Sequence, residues 1–398
     1  MWQPILAGNP ELDKKIHEIA KALKENIAQE THAGLLTGLP GIAVFFANYD
    51  AYTGTRDNEE FIGRLVSDSF EAVQTKWHPV SFCSGLPGML WAVDHLSELG
   101  IPDMDTDTDE TDDFLTREML AGAEKNDFDF LHGAGGLLYY FLSRKRQPDP
   151  EALGKVLSFL SKYAVRDETG AIAWESLVDI ENPKVVKNIS LSHGMSSTII
   201  ILSIFYEQFR TEESRTLLEG ALKFLRASRN QSPDTRSLFP GYVQKEQVDD
   251  DSRLGWCYGD MGIGLALRRA GKALDDPALQ EEGIAILRHS ARRRDPAKDY
   301  VRDAGLCHGS AGIAHIFNRV FQETGDPLFK EAAIYWIDQA LAMAVGDEST
   351  PAGYQAYNGI TGWQNELQLL EGVAGIGLSF IAAASDIPAT WDRSLLIS

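Results

Sequence analysis

A short Gly-x-x-Gly unit followed by an apolar stretch recurs along this 398-residue chain, and that repetition limits its folding options more than any other feature. The copies open at Gly38, Gly85, Gly133, Gly194, Gly259, Gly309 and Gly372, which lie 47, 48, 61, 65, 50 and 63 residues apart. The fourth copy, His193-Gly194-Met195-Ser196-Ser197, has serine in place of the second glycine. Each interval has room for two helices of about 11–12 residues and their connections. The stretches after the glycines, such as 42–47, 263–267 and 376–384, are apolar on nearly every face, as buried helices are. Between them, 217–226, 277–294 and 327–344 alternate apolar and charged residues at helical spacing, which suits an outer layer. Strand-like alternation is scarce. The pattern predicts buried inner helices, each entered at a glycine pair, wrapped by amphipathic outer helices. Seven such units in succession lead to ring closure or a strongly curved solenoid.

One position of the repeat is chemically rich. The residue before the first glycine is Thr37, Ser84, His132, His193, Tyr258, His308 and Glu371 in turn, and none is apolar. A buried helix entrance that stays polar in every copy predicts side chains directed at a shared cavity. One residue earlier stand Cys83, Cys257 and Cys307, all the cysteines of the chain. Cys257 and Cys307 come from consecutive copies, and His308 follows directly. Two thiolates and an imidazole make a three-ligand zinc site with an open fourth position, the catalytic arrangement. The plainer reading has the cysteines as small buried hydrophobes and His308 as a hydrogen-bonded core histidine. Both stand on spacing alone. Cys83, on the distant second copy, reads as structural, whereas His132 and Glu371 read as residues lining the same level without a defined role.

A net charge of −21 repels phosphate backbones and excludes nucleic acid as a partner. No apolar run approaches the roughly 20 residues needed to cross a bilayer, so an integral membrane protein is not expected. Three cysteines make no disulfide framework, and the N-terminus carries no signal pattern; the cytoplasm is the expected compartment.

Trp256-Cys257-Tyr258-Gly259 and Cys307-His308-Gly309, set within seven glycine copies spanning Gly38 to Gly375, resemble the lanthionine synthetase C-like family, the lanthionine cyclases. The resemblance implies an all-α fold, an α/α toroid of seven inner and seven outer helices, formed by residues 1–398 as a single domain. It implies one zinc per chain, held by Cys257, Cys307 and His308. It further implies His193 as the catalytic histidine, together with Asp129 four residues before the third-copy glycine, Arg253 four residues before the first zinc cysteine, and Tyr258. Ser197 departs from the family pattern beside His193, and the length is that of a standalone, class I enzyme.

The implied activity is the addition of peptide cysteine thiols to dehydroalanine or dehydrobutyrine during maturation of lanthipeptide (lantibiotic) precursors. The alternative is a zinc protein of the same family that holds glutathione or peptide thiols without cyclising them. Implied partners are a dehydrated precursor peptide, a lanthipeptide dehydratase and an exporter, with any membrane association arising through those partners. Glycoside-processing toroids require two carboxylates at the cleft. The rich position here carries only Glu371, which argues against that class.

Overall fold

The computed structural model describes residues 2–75, 78–104, 109–144, 149–178, 183–244, 249–346 and 349–398. Fourteen α-helices occur among the described residues, and seven of them begin at the repeat glycines. These are α2 (Leu39–Thr53), α4 (Leu86–Glu98), α6 (Ala134–Ser143), α8 (Met195–Phe209), α10 (Asp260–Ala273), α12 (Ser310–Thr324) and α14 (Val373–Ala384). The others are α1 (Pro10–Asn26), α3 (Glu59–Thr75), α5 (Asp109–Glu124), α7 (Pro150–Tyr163), α9 (Glu212–Ala227), α11 (Pro277–Ala291) and α13 (Pro327–Ala342). The two sets start differently. Asn9, Asp149, Thr211, Asp276 and Asp326 cap α1, α7, α9, α11 and α13 with side-chain oxygens, in four cases followed by proline at the first helical position. The glycine-initiated helices have no side-chain cap, because their first turns are packed against backbone instead.

The packing reason is visible at the second glycine. A Cβ on Gly312 would lie 2.0 Å from the Leu306 carbonyl oxygen, three residues before the first glycine of its copy. Gly41, Gly88 and Gly375 meet the equivalent carbonyls of Leu35, Phe82 and Leu369 at 1.9–2.3 Å. Gly312→Ala is therefore expected to destabilise the fold by about 1–3 kcal/mol through forced backbone displacement. An unchanged urea midpoint would refute this. In the fourth copy Ser197 is accommodated, its hydroxyl donating to the Gly194 carbonyl of its own turn at 2.8 Å.

The described residues fall into two compact units, one of residues 1–107 with 294–398 and one of residues 108–293. In the first, α12, α14, α2 and α4 neighbour one another in that order, with α13 against α12, α1 against α14 and α3 against α2. In the second, α6, α8 and α10 follow in succession, backed by α5, α9 and α11. The glycine-initiated helices are the buried ones; α14 is buried from Val373 through Ala383. α10 is buried throughout the apolar stretch 263–267, and beyond it Arg269 pairs with Glu207 of α8.

The copies are linked by a shared backbone position. In four copies the carbonyl two residues before the first glycine accepts hydrogen bonds from the preceding copy. Leu306 and Cys307 amides donate to Leu370 O at 2.9 Å, Leu370 N to Leu36 O at 3.0 Å, and Leu36 N to Cys83 O at 3.0 Å. In the other unit, Leu191 and Ser192 amides donate to Cys257 O at 3.0 and 3.2 Å. In these copies the backbone one residue before the chemically rich position is thus held by main chain of the neighbouring copy.

The long intervals of the repeat hold all seven strands found among the described residues. Between Gly133 and Gly194 lie β1 (Val165–Arg166), β2 (Ile172–Ala173), β3 (Ser176–Val178) and β4 (Lys184–Asn188). The next interval contributes β5 (Tyr242–Val243), and the last contains β6 (Ala356–Asn358) and β7 (Gly362–Gln364). β1–β2 and β6–β7 form antiparallel pairs, and β3-β4-β5 an antiparallel sheet. No helix among the described residues is long and apolar enough to cross a membrane.

Candidate active site

Four of the seven copies position their polar residue through a local turn. In it, a side-chain oxygen four residues before the first glycine accepts the amide hydrogen of the residue immediately before that glycine. Ser81 does so for Ser84 at 3.2 Å, Asp129 for His132 at 2.8 Å, Ser190 for His193 at 3.1 Å, and Gln368 for Glu371 at 2.9 Å. The turn fixes the polar residue at the helix entrance through a contact within four residues of chain. Gly34, Gly255 and Gly305 stand at that place in the other three copies.

In the third copy the capping residue does more. One Asp129 oxygen caps His132, and the other receives His193 Nδ1 of the next copy at 2.7 Å. The His132 and His193 rings stack with centroids 5.7 Å apart, and the Tyr258 ring lies 6.5 Å from His193 on its other copy neighbour. Tyr258 Oη accepts a hydrogen bond from Asn188 Nδ2 at 3.4 Å, while Asn188 Oδ1 accepts from the Ser190 amide at 3.0 Å. Asn188 therefore joins the turn under His193 to the Tyr258 hydroxyl.

These groups line a cavity of about 620 Å³. Asp129, His132, Asn188, His193 and Tyr258 form its polar wall; Trp174, Leu177, Val178 and Met195 supply apolar surface. Cys257 is buried directly before Tyr258, its carbonyl holding Leu191 and Ser192.

The electrostatics separate the two histidines. Burial acts to lower the His193 pKa, but the hydrogen bond and charge of Asp129 outweigh it and hold the imidazole above its ordinary value. Burial dominates at His132 and carries it below the usual range. Burial would raise Asp129; His193, with lesser help from His132, keeps that carboxyl below the ordinary aspartate value. The Tyr258 hydroxyl is pushed up, chiefly by burial, and stays protonated at neutral pH.

Arg253 is half-buried on the loop before Cys257 and is not among the residues lining the cavity. Its carbonyl lies under Gly259, where a Cβ would come within 2.4 Å of it. Gly259 has φ +95°, so glycine is required there both sterically and conformationally. In the other unit, Cys307 and His308 are half-buried at the entrance of α12, and His308 Nε2 lies 3.4 Å from both Tyr357 O and Asp303 Oδ2. Cys83 is buried in the same unit. Glu371 is fixed at its amide by Gln368.

Sequence reasoning missed Asn188 and Asp303, and a signal for them existed. Both lie six residues before the first glycine of their copies, a position that reads His32, Pro79, Asp127, Asn188, Arg253, Asp303 and Glu366. Six of those seven are polar, a second chemically rich register beside the one at the helix entrance.

The model of the family described as lanthionine synthetase C-like protein matches residues 29–396. The nisin biosynthesis protein NisC of Lactococcus lactis subsp. lactis is 24% identical over 312 residues, 71% of this chain and 72% of that protein. The structure of nisin cyclase matches with a TM-score of 0.71 at 20% identity, covering 97% of each chain. That likeness establishes the fold class, the α/α toroid that the resemblance implied.

Proposed function

We propose that this chain, which belongs to the lanthionine synthetase C-like family, is a zinc-dependent cyclase that closes thioether rings in a dehydrated precursor peptide. The observation that carries the reading is the Asp129–His193 pair at 2.7 Å, set on a cavity it shares with Tyr258. A protein that only stored thiols would have no use for an imidazole paired with a carboxylate beside such a cavity. The name of the relative NisC, a nisin biosynthesis protein, agrees with the proposed substrate class. The whole chain is read as one catalytic domain, supported by the family match running from residue 29 to residue 396. A dehydratase and an exporter are proposed as partners on the family's account, and the cytoplasm as compartment.

Cys257, Cys307 and His308 are proposed as the zinc ligands. Their donors fit that metal: two thiols that bind as thiolates, and an imidazole whose Nε2 faces Tyr357 O and Asp303. Zinc bound there would lower the pKa of an incoming peptide thiol and hold it as thiolate.

The protein's own residues supply the remainder. Addition of the thiolate to the β-carbon of a dehydro residue moves the double-bond electrons toward the adjacent carbonyl, and the α-carbon must then be protonated. His193 Nε2 delivers that proton, because Nδ1 is committed to Asp129. Over the cycle one proton passes from the peptide sulfur to the α-carbon. Asp129 fixes the imidazole's orientation and stabilises its charged form. Tyr258, protonated and linked to Asn188, donates to the developing enolate or to substrate backbone. Arg253 is proposed as a further enolate-stabilising cation on its motif position alone.

The direct test incubates the zinc-loaded protein with a dehydrated, cysteine-containing precursor peptide, then counts free thiols by alkylation and mass spectrometry. Thiol loss with sequence-localised thioethers above the protein-free rate is expected. Thiol binding without turnover would instead favour the non-catalytic alternative.

A pH consequence follows from the Asp129 contact. A raised His193 pKa keeps the proton donor charged up to that pKa, and activity is lost as pH rises through it. In Asp129→Asn the opposing effect of burial is left unbalanced. The alkaline limb of the kcat profile should therefore move to lower pH, with reduced kcat. An unmoved limb would remove His193 as the titrating donor.

A further inference from the structure

The carboxylate of Asp303 is buried and sits in a place made for it: a Cβ on Gly309 would come 2.4 Å from its Oδ1. Oδ1 accepts the Gly305 amide at 3.1 Å, and Oδ2 accepts the Tyr357 amide at 2.9 Å. His308 Nε2 lies 3.4 Å from that same Oδ2 and 3.4 Å from the Tyr357 carbonyl. The Asp303 carbonyl accepts the Ser310 amide at 3.0 Å, so the residue also fixes the first turn of α12, directly after His308. Tyr357 belongs to β6, and its ring is clasped by Trp363 of β7 at 5.2 Å and by the Arg302 guanidinium at 4.6 Å.

We infer that Asp303 is a positioning residue that, with the β6–β7 hairpin, fixes the ring orientation and tautomer of His308. An imidazole carrying its hydrogen on Nε2, toward a carboxylate and a carbonyl, presents its lone pair at Nδ1. The carboxylate also increases the basicity of the ligating nitrogen. The hairpin and the helix entrance are joined at one buried group, Asp303, which faces the Nε2 side of the ring. The inference rests on the reading of His308 as a metal ligand and adds to it the residue that aims the ligand.

The test uses the full chain as wild type, Asp303→Ala, Asp303→Asn and His308→Ala. Zinc affinity is measured by competition with a chromophoric chelator, and the ligand field by the visible spectrum after cobalt(II) substitution. Asp303→Ala should bind zinc about 10–100-fold more weakly, with altered cobalt bands. Asp303→Asn retains an acceptor oxygen without the charge and should fall between that variant and wild type. Far-UV circular dichroism identifies any variant that fails to fold; if Asp303→Ala does, Asp303→Asn decides. Affinity within twofold of wild type and an unchanged cobalt spectrum in the folded Asp303 variants, with zinc lost in His308→Ala, would overturn this inference alone. Zinc retained at wild-type affinity in His308→Ala would overturn the ligand assignment, and this inference with it.

Discussion

His193→Ala should leave bound metal unchanged while lowering the rate of ring closure by about 10²–10⁴-fold, the usual contribution of a positioned acid–base group. The separation of the two readouts follows from the geometry. The His193 imidazole bonds to Asp129, whereas its backbone amide bonds to Ser190 Oγ, and that second bond survives truncation. The turn that places the fourth-copy helix entrance is therefore retained, as are the Leu191 and Ser192 hydrogen bonds to the Cys257 carbonyl. What is lost is the proton carrier and the partner of one Asp129 oxygen. Elemental analysis beside single-turnover kinetics on a dehydrated peptide checks both halves. Undiminished ring closure would assign the proton transfer elsewhere, and loss of metal would show that the histidine has a structural part in the metal centre.

Cys307→Ala should abolish both metal content and turnover, from about one zinc per chain to none under stringent dialysis. Removing one of three protein donors leaves a thiol and an imidazole, one short of the three protein ligands of a catalytic zinc site. The variant should still fold. The structural role of Cys307 is carried by its amide, donating to Leu370 O at 2.9 Å, and alanine keeps that amide. Native far-UV circular dichroism with metal lost is the expected pair of results. A full complement of zinc in the purified variant would remove Cys307 from the ligand set and with it the mechanism proposed above.

The helical layers and the helix entrances were legible in the sequence because their causes are local. Gly312, Gly375 and their equivalents mark where a helix start meets a carbonyl three residues before the first glycine, a contact within one copy. Apolar residues at 376–384 on every face announce a helix surrounded by neighbours, and 373–384 form α14. In four copies the polar residue before the first glycine was readable for the same reason, since Ser81, Asp129, Ser190 and Gln368 set it by a turn of four residues. The strands were not foreseen. At two to five residues they are too short to show alternation, and only the surplus length of three intervals betrayed them.

The sequence by itself determined which residue types occupy the helix entrances, because a seven-fold repeat makes equivalent positions comparable within one chain. Only the tertiary structure decided which of those residues meet. Asp129 and His193 lie 64 residues apart and belong to different copies; that one oxygen of Asp129 caps its own turn while the other holds the neighbouring histidine depends on how α6 and α8 pack. Likewise, nothing local links Asp303 to Tyr357, 54 residues on, until the β6–β7 hairpin folds back over α12's entrance. Repetition encodes each turn in short-range hydrogen bonds, whereas pairing between turns is set by the packing of whole helices, which no single segment specifies.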